Sequence, residues 1–322
     1  MARRARSKGS RSAGIFLFLL GLFAGAGILY LFMKPSGGPR TVEEPPTPAP
    51  ASTREAPRAS HPTRHRPAAP ATVASDHVEP ETPAATPVAE TLPPSGPLHG
   101  VRVALVIDDL GHDVDDLRPL AALGVPVTYS VLPFEDQTPQ VVAALRQRRA
   151  EILLHLPMEP KNGQNPGPGA LLQGMSDGEL REKTEAALKA VPGAVGVNNH
   201  MGSLLSSEEG PMNAVLGVLA ARGLFFLDSR TSAESVGYKV AIGLGVPAAE
   251  RQVFLDGDPS PAAIHVQFLR LLDLARTKGA AIAIGHPHPE TLAALTREVP
   301  KARAAGYEFV PVSYLLTRAG GE

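Results

Sequence analysis

Ionisable side chains in this 322-residue chain cluster directly behind short apolar runs, and they do so in five places. The stretch VALVIDDLGHD places Asp108 and Asp109 after a β-branched run, and LLHLPMEP carries His155 and Glu159. VNNHMGS carries Asn198, Asn199, His200 and Ser203, while FFLDSRTS carries Asp228, Ser229 and Arg230. AAIAIGHPHP ends in His286 and His288. Two adjacent carboxylates closing a buried strand are costly unless a positive charge balances them. The chain has no Cys, so a metal would be held by His, Asp or Glu, the donor set of a catalytic Zn²⁺ or a related divalent ion with one open position. Such an ion would lower the pKa of both carboxylates. It would also acidify a water and polarise a carbonyl, and a histidine across the site could protonate a leaving group. Neighbouring strand residues point to opposite faces. Asp108 and Asp109 are therefore expected to divide the work, one on the metal and one beside the reacting water.

These residues need a scaffold that brings strand ends together. Strands are expected over 101–107, 127–132, 151–155, 194–198, 224–228, 252–255, 280–285 and 307–310, with helices over 114–123, 139–149, 177–191, 208–222, 259–278 and 290–305. Strands alternating with helices imply βαβ units and a parallel sheet. Seven or eight such units fit a parallel β/α barrel, complete or slightly open, and a doubly wound open sheet is the alternative. In both folds the chemistry sits at the carboxyl ends of the strands, where all five motifs fall. The Gly- and Pro-rich segment 162–174 reads as a surface loop at that same end. Asp256 and Asp258 in LDGDPSP read first as caps of the following helix, with a minor role in the site left open by their position at the active face, and His112, past Gly111, reads as a surface or supporting residue.

The N-terminal third is a different polymer. Residues 1–12 form a basic segment with Arg3, Arg4, Arg6, Lys8 and Arg11, followed by an uncharged apolar run over 13–33. As a helix that run is about 30 Å long at ~1.5 Å per residue, the thickness of a bilayer core. It is expected to be an uncleaved signal anchor with a cytoplasmic N-terminus. Residues 34–100 are rich in Pro, Ala, Thr and Glu, and are expected to form a disordered, semi-rigid linker. The globular domain, 101–322, would then lie outside the cytoplasm, periplasmic or extracellular. A net charge of −1 gives no electrostatic footprint for nucleic acid.

Taken in order, VIDDLG, HLPMEP, NNHMGS, LDSRTS and IGHPHP resemble the divergent polysaccharide deacetylase family, a branch of the polysaccharide deacetylase superfamily of distorted β/α barrels. The resemblance covers about residues 101–319. It implies a divalent metal, Zn with Co or Mn as alternatives, and removal of N- or O-acetyl groups from a cell-envelope polysaccharide or peptidoglycan. By that resemblance Asp108 is the base and Asp109 a metal ligand. His155 fills the first histidine position of the second motif, Glu159 stands where the second histidine belongs, and His200 is a further candidate ligand. His286 matches the general acid, with His288 as its competitor. The superfamily's arginine, which orients the base, has no clean match. Arg230 is the nearest substitute, and Asn199, Ser203 and Asp228 are expected to bind substrate or support the site. The alternative is a catalytically degenerate barrel that binds glycan or an envelope protein partner. A third reading, a two-carboxylate glycoside hydrolase, would pair Asp108 with Glu159 or Asp228.

Overall fold

The computed structural model describes residues 100–318, all within the second of the chain's two units, residues 70–322. The expected basic segment, membrane anchor and most of the linker lie outside the described residues. Among the described residues no helix is long and apolar enough to cross a membrane.

The strands are β1 (Arg102–Leu110), β2 (Thr128–Val131), β3 (Glu151–Met158), β4 (Gly196–Met201), β5 (Phe225–Asp228), β6 (Ala248–Glu250), β7 (Val253–Phe254), β8 (Ala280–Gly285) and β9 (Glu308–Phe309). The helices are α1 (Leu117–Ala122), α2 (Thr138–Gln147), α3 (Asp177–Ala190), α4 (Glu209–Arg222), α5 (Gly237–Gly243), α6 (Pro261–Lys278) and α7 (Pro289–Ala304). Local chemistry fixes several helix ends. Ser176 and Glu179 form a reciprocal capping box at the start of α3. Ser260 caps α6, which Gly279 ends in a left-handed turn. The short α5 and β6 were not expected from the sequence; at seven and three residues they are too brief to show a period.

The strand order is β6-β5-β4-β3-β2-β1-β8-β7, with every ladder parallel. This is the expected parallel β/α barrel, incompletely closed. One continuous segment forms both edges of the sheet. It pairs with β5 through β6, then with β8 through β7. The change of partner falls between Arg251, whose N–H donates to Asp228 O at 3.0 Å, and Gln252, whose N–H donates to Ile282 O at 3.0 Å. The Gln252 side chain covers the seam, its Oε1 accepting from Ile282 N at 2.7 Å. The ring is therefore joined covalently where it is not joined by a ladder. At the opposite end, β9 pairs with Arg102 and Val103, ahead of the point where β2 joins at Val106.

Two apolar cores follow from strand alternation. The outer one lies between sheet and helices and includes Leu105, Ile107, Leu154, Val197 and Phe226. The inner one fills the barrel with Ala104, Val106, Leu153, Phe225, Leu227, Phe254, Ile282 and Ile284, and Val312 from the C-terminal turn joins it. The inward rows are thus 104-106, 153, 225-227, 254 and 282-284. Extended by two residues toward the strands' carboxyl ends, they reach Asp108, His155, Ser229, Asp256 and His286. The apolar filling ends where the polar site begins.

Candidate active site

The inward rows deliver most of the site without distortion, but Asp109 lies off them. Alternation would send it outward, opposite to Asp108. Instead β1 is irregular between Ile107 and Leu110, and Asp109 takes a left-handed backbone with φ 57°. A non-glycine residue rarely adopts that conformation, and such strain tends to sit where function requires it. The result brings both carboxylates to one point. His155 Nε2 lies 3.5 Å from Asp108 Oδ2 and 3.1 Å from Asp109 Oδ1. The two Asp do not face opposite sides of the strand as the sequence suggested.

His200, inward on β4, completes the cluster. Its Nδ1 stands 2.9 Å from Asp109 Oδ1 and 3.2 Å from His155 Nε2. Three donor atoms therefore form a triangle with edges of 2.9–3.2 Å. Tetrahedral zinc, with bonds of about 2.0–2.2 Å, has edges near 3.3 Å. Asp109 Oδ1 is buried and has no hydrogen-bond partner, and the three residues stand close enough together to hold a metal ion. The triangle thus fits a divalent cation. It is also open on one side, because the Asp109 side chain is 30% exposed whereas those of Asp108 and His155 are 4% and 2% exposed.

A buried polar layer fixes these side chains. Asn198 is its hub. Its amide donates to both Asp108 oxygens at 2.9 and 3.1 Å, and its Oδ1 accepts from Ser130 Oγ. His155 Nδ1 lies 3.0 Å from the same Oδ1. Since an amide oxygen only accepts, His155 carries its proton on Nδ1 and keeps the Nε2 lone pair for the cluster. Ser229 Oγ sits 3.3 Å from the Asn198 amide. On the other flank His286 Nε2 faces Asp109 Oδ2 at 3.8 Å. Its Nδ1 is 3.0 Å from Asp256 Oδ1. Asp256 Oδ2 accepts from the His286 backbone N–H and from Thr291 Oγ1, each at 2.7 Å.

Charge follows from this packing. Burial opposes ionisation of Asp109, yet His200, His286 and His155 outweigh it and hold the carboxyl well below the usual carboxylate range. Burial likewise disfavours charged His155, but Asp108 and Asp109 keep its pKa above the ordinary histidine value. For His286, burial is overcome by Asp109 and Asp256, and the pKa is pushed up to about 9. Asp256, buried but bonded to His286, stays below its ordinary value.

Several expected residues do other work. Glu159 is not in the cluster of converging donors. It stands just past β3, where its N–H donates to Leu171 O and its carbonyl accepts from Leu204 and Leu205. Its carboxylate accepts from Gln173 N, so the residue ties the 160–174 loop to the barrel. Asp228 is on the outward row of β5 and accepts from Arg230 N, Ser235 Oγ and Tyr238 N. Both acids are engaged by backbone and side-chain donors of their own loops rather than by the buried layer around Asp108. Arg230 donates to the Ser235 and Ala233 carbonyls and ion-pairs with Glu250 at 3.4 Å; Asn198 holds Asp108 instead. Asn199, on the outward row of β4, accepts from Ser229 N and donates to Met201 O. Ser203 Oγ accepts from Lys161 N. His288 is exposed, its ring 5.6 Å from that of His286. His112 is 3.2 Å from Glu135 on the rim. Of the two expected caps, Asp258 does accept from Ser260 N, while Asp256 is the partner of His286. Asn198, Ser229, Ser130 and Asp256 are the site residues that sequence reasoning did not select. The signal that finds Ser229 and Asp256 is the period of two, extended from the apolar inner rows; Ser130 and Asn198 lie on β2 and β4, where the apolar residues Val131 and Val197 face outward instead.

A parallel β/α barrel with an open Asp–His–His cluster at the carboxyl ends of its strands defines the class, a barrel whose site is suited to a divalent cation. Residues 105–316 match the model of the divergent polysaccharide deacetylase family, and the chain belongs to that family. It is 38% identical over 205 residues to YibQ of Escherichia coli K12, covering 64% of each chain. It is 34% identical over 194 residues to a Haemophilus influenzae Rd protein, covering 60% of this chain and 69% of that one. The chain thus matches less than two thirds of the length of YibQ. A solved structure from Agrobacterium tumefaciens C58 superposes with a TM-score of 0.63 at 30% identity, covering 70% of this chain and 93% of the other.

Proposed function

We propose that this protein is a metal-dependent deacetylase that hydrolyses N- or O-acetyl groups on a cell-envelope polysaccharide or peptidoglycan. The observation that carries the reading is the Asp109–His155–His200 triangle, bordered by a carboxylate and a histidine that are held in different ways. Asp109, His155 and His200 would hold the cation, Zn²⁺ by donor chemistry, with Co²⁺ or Mn²⁺ as alternatives. Bound there, it supplies Lewis acidity to a water and to the acetyl carbonyl. Asp108, aligned by Asn198, takes the proton of the attacking water. His286 carries its proton on the Nε2 that faces the cluster while Asp256 holds Nδ1, and it gives that proton to the departing amine or alkoxide. The polar layer beneath keeps both groups oriented before substrate arrives.

The basic N-terminus, the apolar run over 13–33 and the Pro-rich segment after it support a single-pass anchor that holds the barrel outside the cytoplasm. An envelope glycan is the substrate within reach of such a barrel. The test is acetate release from acetylated glycans and peptidoglycan by the full-length protein, after chelation and after return of Zn²⁺, Co²⁺ or Mn²⁺. Metal-restored turnover supports the reading. A protein that binds metal and glycan yet releases no acetate across that panel would instead be a binding module on a deacetylase fold.

A further inference from the structure

We propose that Phe134 is a sugar-stacking platform, an aromatic face at the mouth of the barrel against which a pyranose ring of the glycan lies while its acetylated neighbour occupies the Asp109–His155–His200 cluster. The proposal rests on the deacetylase reading of that cluster and adds how the chain beyond the acetyl group is recognised.

In the sheet β2 lies between β1, which carries Asp108 and Asp109, and β3, which carries His155. At its last residue, Val131 is level with Leu110 on one side and Leu154 on the other. Phe134 follows three residues later, beyond the end of the strand that lies between two of the three strands that supply metal donors.

Its conformation is the second point. Phe134 has φ 63°, a left-handed backbone that a bulky side chain seldom takes. The ring contributes little to the core, since the residue is 45% exposed. Stability explains neither feature, and backbone strain that the surroundings enforce is a mark of functional sites. The surroundings enforce it thoroughly. Leu132 N donates to Leu110 O at 2.7 Å, and Gln137 N donates to Gly111 O at 3.0 Å. Thr138 Oγ1 donates to Leu132 O at 2.7 Å and accepts from Glu135 N at 3.1 Å. The Cδ2–Cε2 edge of the ring meets the 160–174 loop at Gly169, where a Cβ would come within 2.5 Å of it. The glycine lets the loop backbone close on that edge of a residue that stays 45% exposed.

The chemistry of the frame selects the occupant. Next to Phe134 in the chain come Glu135, paired with His112 at 3.2 Å, and the exposed Asp136. An exposed aromatic ring with polar neighbours in the chain suits an amphipathic pyranose, whose C–H face is apolar and whose hydroxyls project sideways, better than a lipid tail, which offers those neighbours no hydrogen bond. Among the described residues the other exposed aromatic, Tyr314, belongs to the turn Val312–Leu315 at the opposite end, where Val312 closes the barrel.

The chain has no Trp, so Phe134→Trp in the full-length protein creates a lone indole at the platform. The probes are a β-1,4-linked N-acetylglucosamine hexamer, a soluble peptidoglycan fragment and, as a control, detergent below its micelle concentration. A saturable change in indole emission with a glycan, and none with detergent, is the expected result. In parallel, Phe134→Ala should raise KM for the hexamer about tenfold relative to KM for a single-sugar acetyl substrate, and Phe134→Tyr should restore the ratio. If emission responds but no substrate releases acetate, the platform stands and the deacetylase reading falls. If acetate is released while emission stays unmoved at saturating glycan, or the KM ratio of Phe134→Ala is unchanged, the platform is overturned and the deacetylase reading stands. A response to detergent equal to that with glycan also overturns it. Should Phe134→Trp fail to fold, the KM ratios of Phe134→Ala and Phe134→Tyr decide alone.

Discussion

Two clusters in this barrel have the same composition, one aspartate with two histidines, and they are built for different work. Asp109, His155 and His200 present donor atoms 2.9–3.2 Å apart, and the central Asp109 oxygen has no hydrogen bond. Asp256, His286 and His288 also stand close enough to be considered for a metal. There, however, the Asp256 oxygens already receive the His286 backbone N–H, Thr291 Oγ1 and His286 Nδ1, and His288 is exposed. A carboxylate whose lone pairs converge with two rings is poised for a cation, whereas one saturated by donors orients and charges its histidine. Under the proposed function, hydrogen-bond partners, not residue types, would separate ligand from proton carrier.

The largest expected effect that would break this comparison comes from Asp109→Ala. It should remove stoichiometric metal from the purified protein and abolish acetate release, whereas Asp256→Asn should retain the metal. Retained metal in the first variant, by elemental analysis, would dissolve the distinction. Asp256→Asn should instead lower kcat by about 10²–10⁴-fold, the usual range for a general acid. Next comes Asn198→Leu, which frees Asp108 and the His155 ring together. Metal affinity should weaken by about 10–100-fold, the common cost of losing an outer partner of a ligand, as read by competition with a chromogenic chelator. A smaller effect concerns stability after chelation. The folded-state pKa of His286 is about 9, above the ~6.5 of an unfolded chain. Protonated His286 thus favours the fold, fully below about pH 6.5, and this contribution is lost as pH rises through about 9. The melting temperature of metal-free protein should fall across that window, and His286→Gln should flatten the fall. The smallest effect belongs to Glu159→Gln. Its carboxylate serves Gln173 N, so metal stoichiometry should not change. Loss of metal in that variant would return Glu159 to the ligand set.

Much of this was legible in the chain because strand alternation is a local property. Apolar positions two apart mark the inner face, and the polar residue that ends each row is in the site. Asp108, His155 and His286 follow from it, and so does Ser229 over Asp228; on β4 the one apolar marker, Val197, faces outward, and His200 and Asn198 follow only as the positions that alternate with it. Glu159 misled because motif spacing assigns it to a metal, while the way the 160–174 loop folds back on Leu171 turns it aside. Asp256 misled in the opposite sense, since a carboxylate ahead of a helix usually caps it.

The sequence by itself determined the parallel β/α architecture, the end of the barrel where chemistry belongs and a donor set without thiolates, because these depend on short-range periodicity and on residue type. Only the tertiary structure decided that Asp109 turns inward beside Asp108, that His200 rather than Glu159 completes the cluster, and that Asp256 serves His286. Each depends on a backbone turn or a hydrogen bond between residues far apart in the chain, such as the Asp108–Asn198 contact, and no local pattern encodes which of several polar groups will meet.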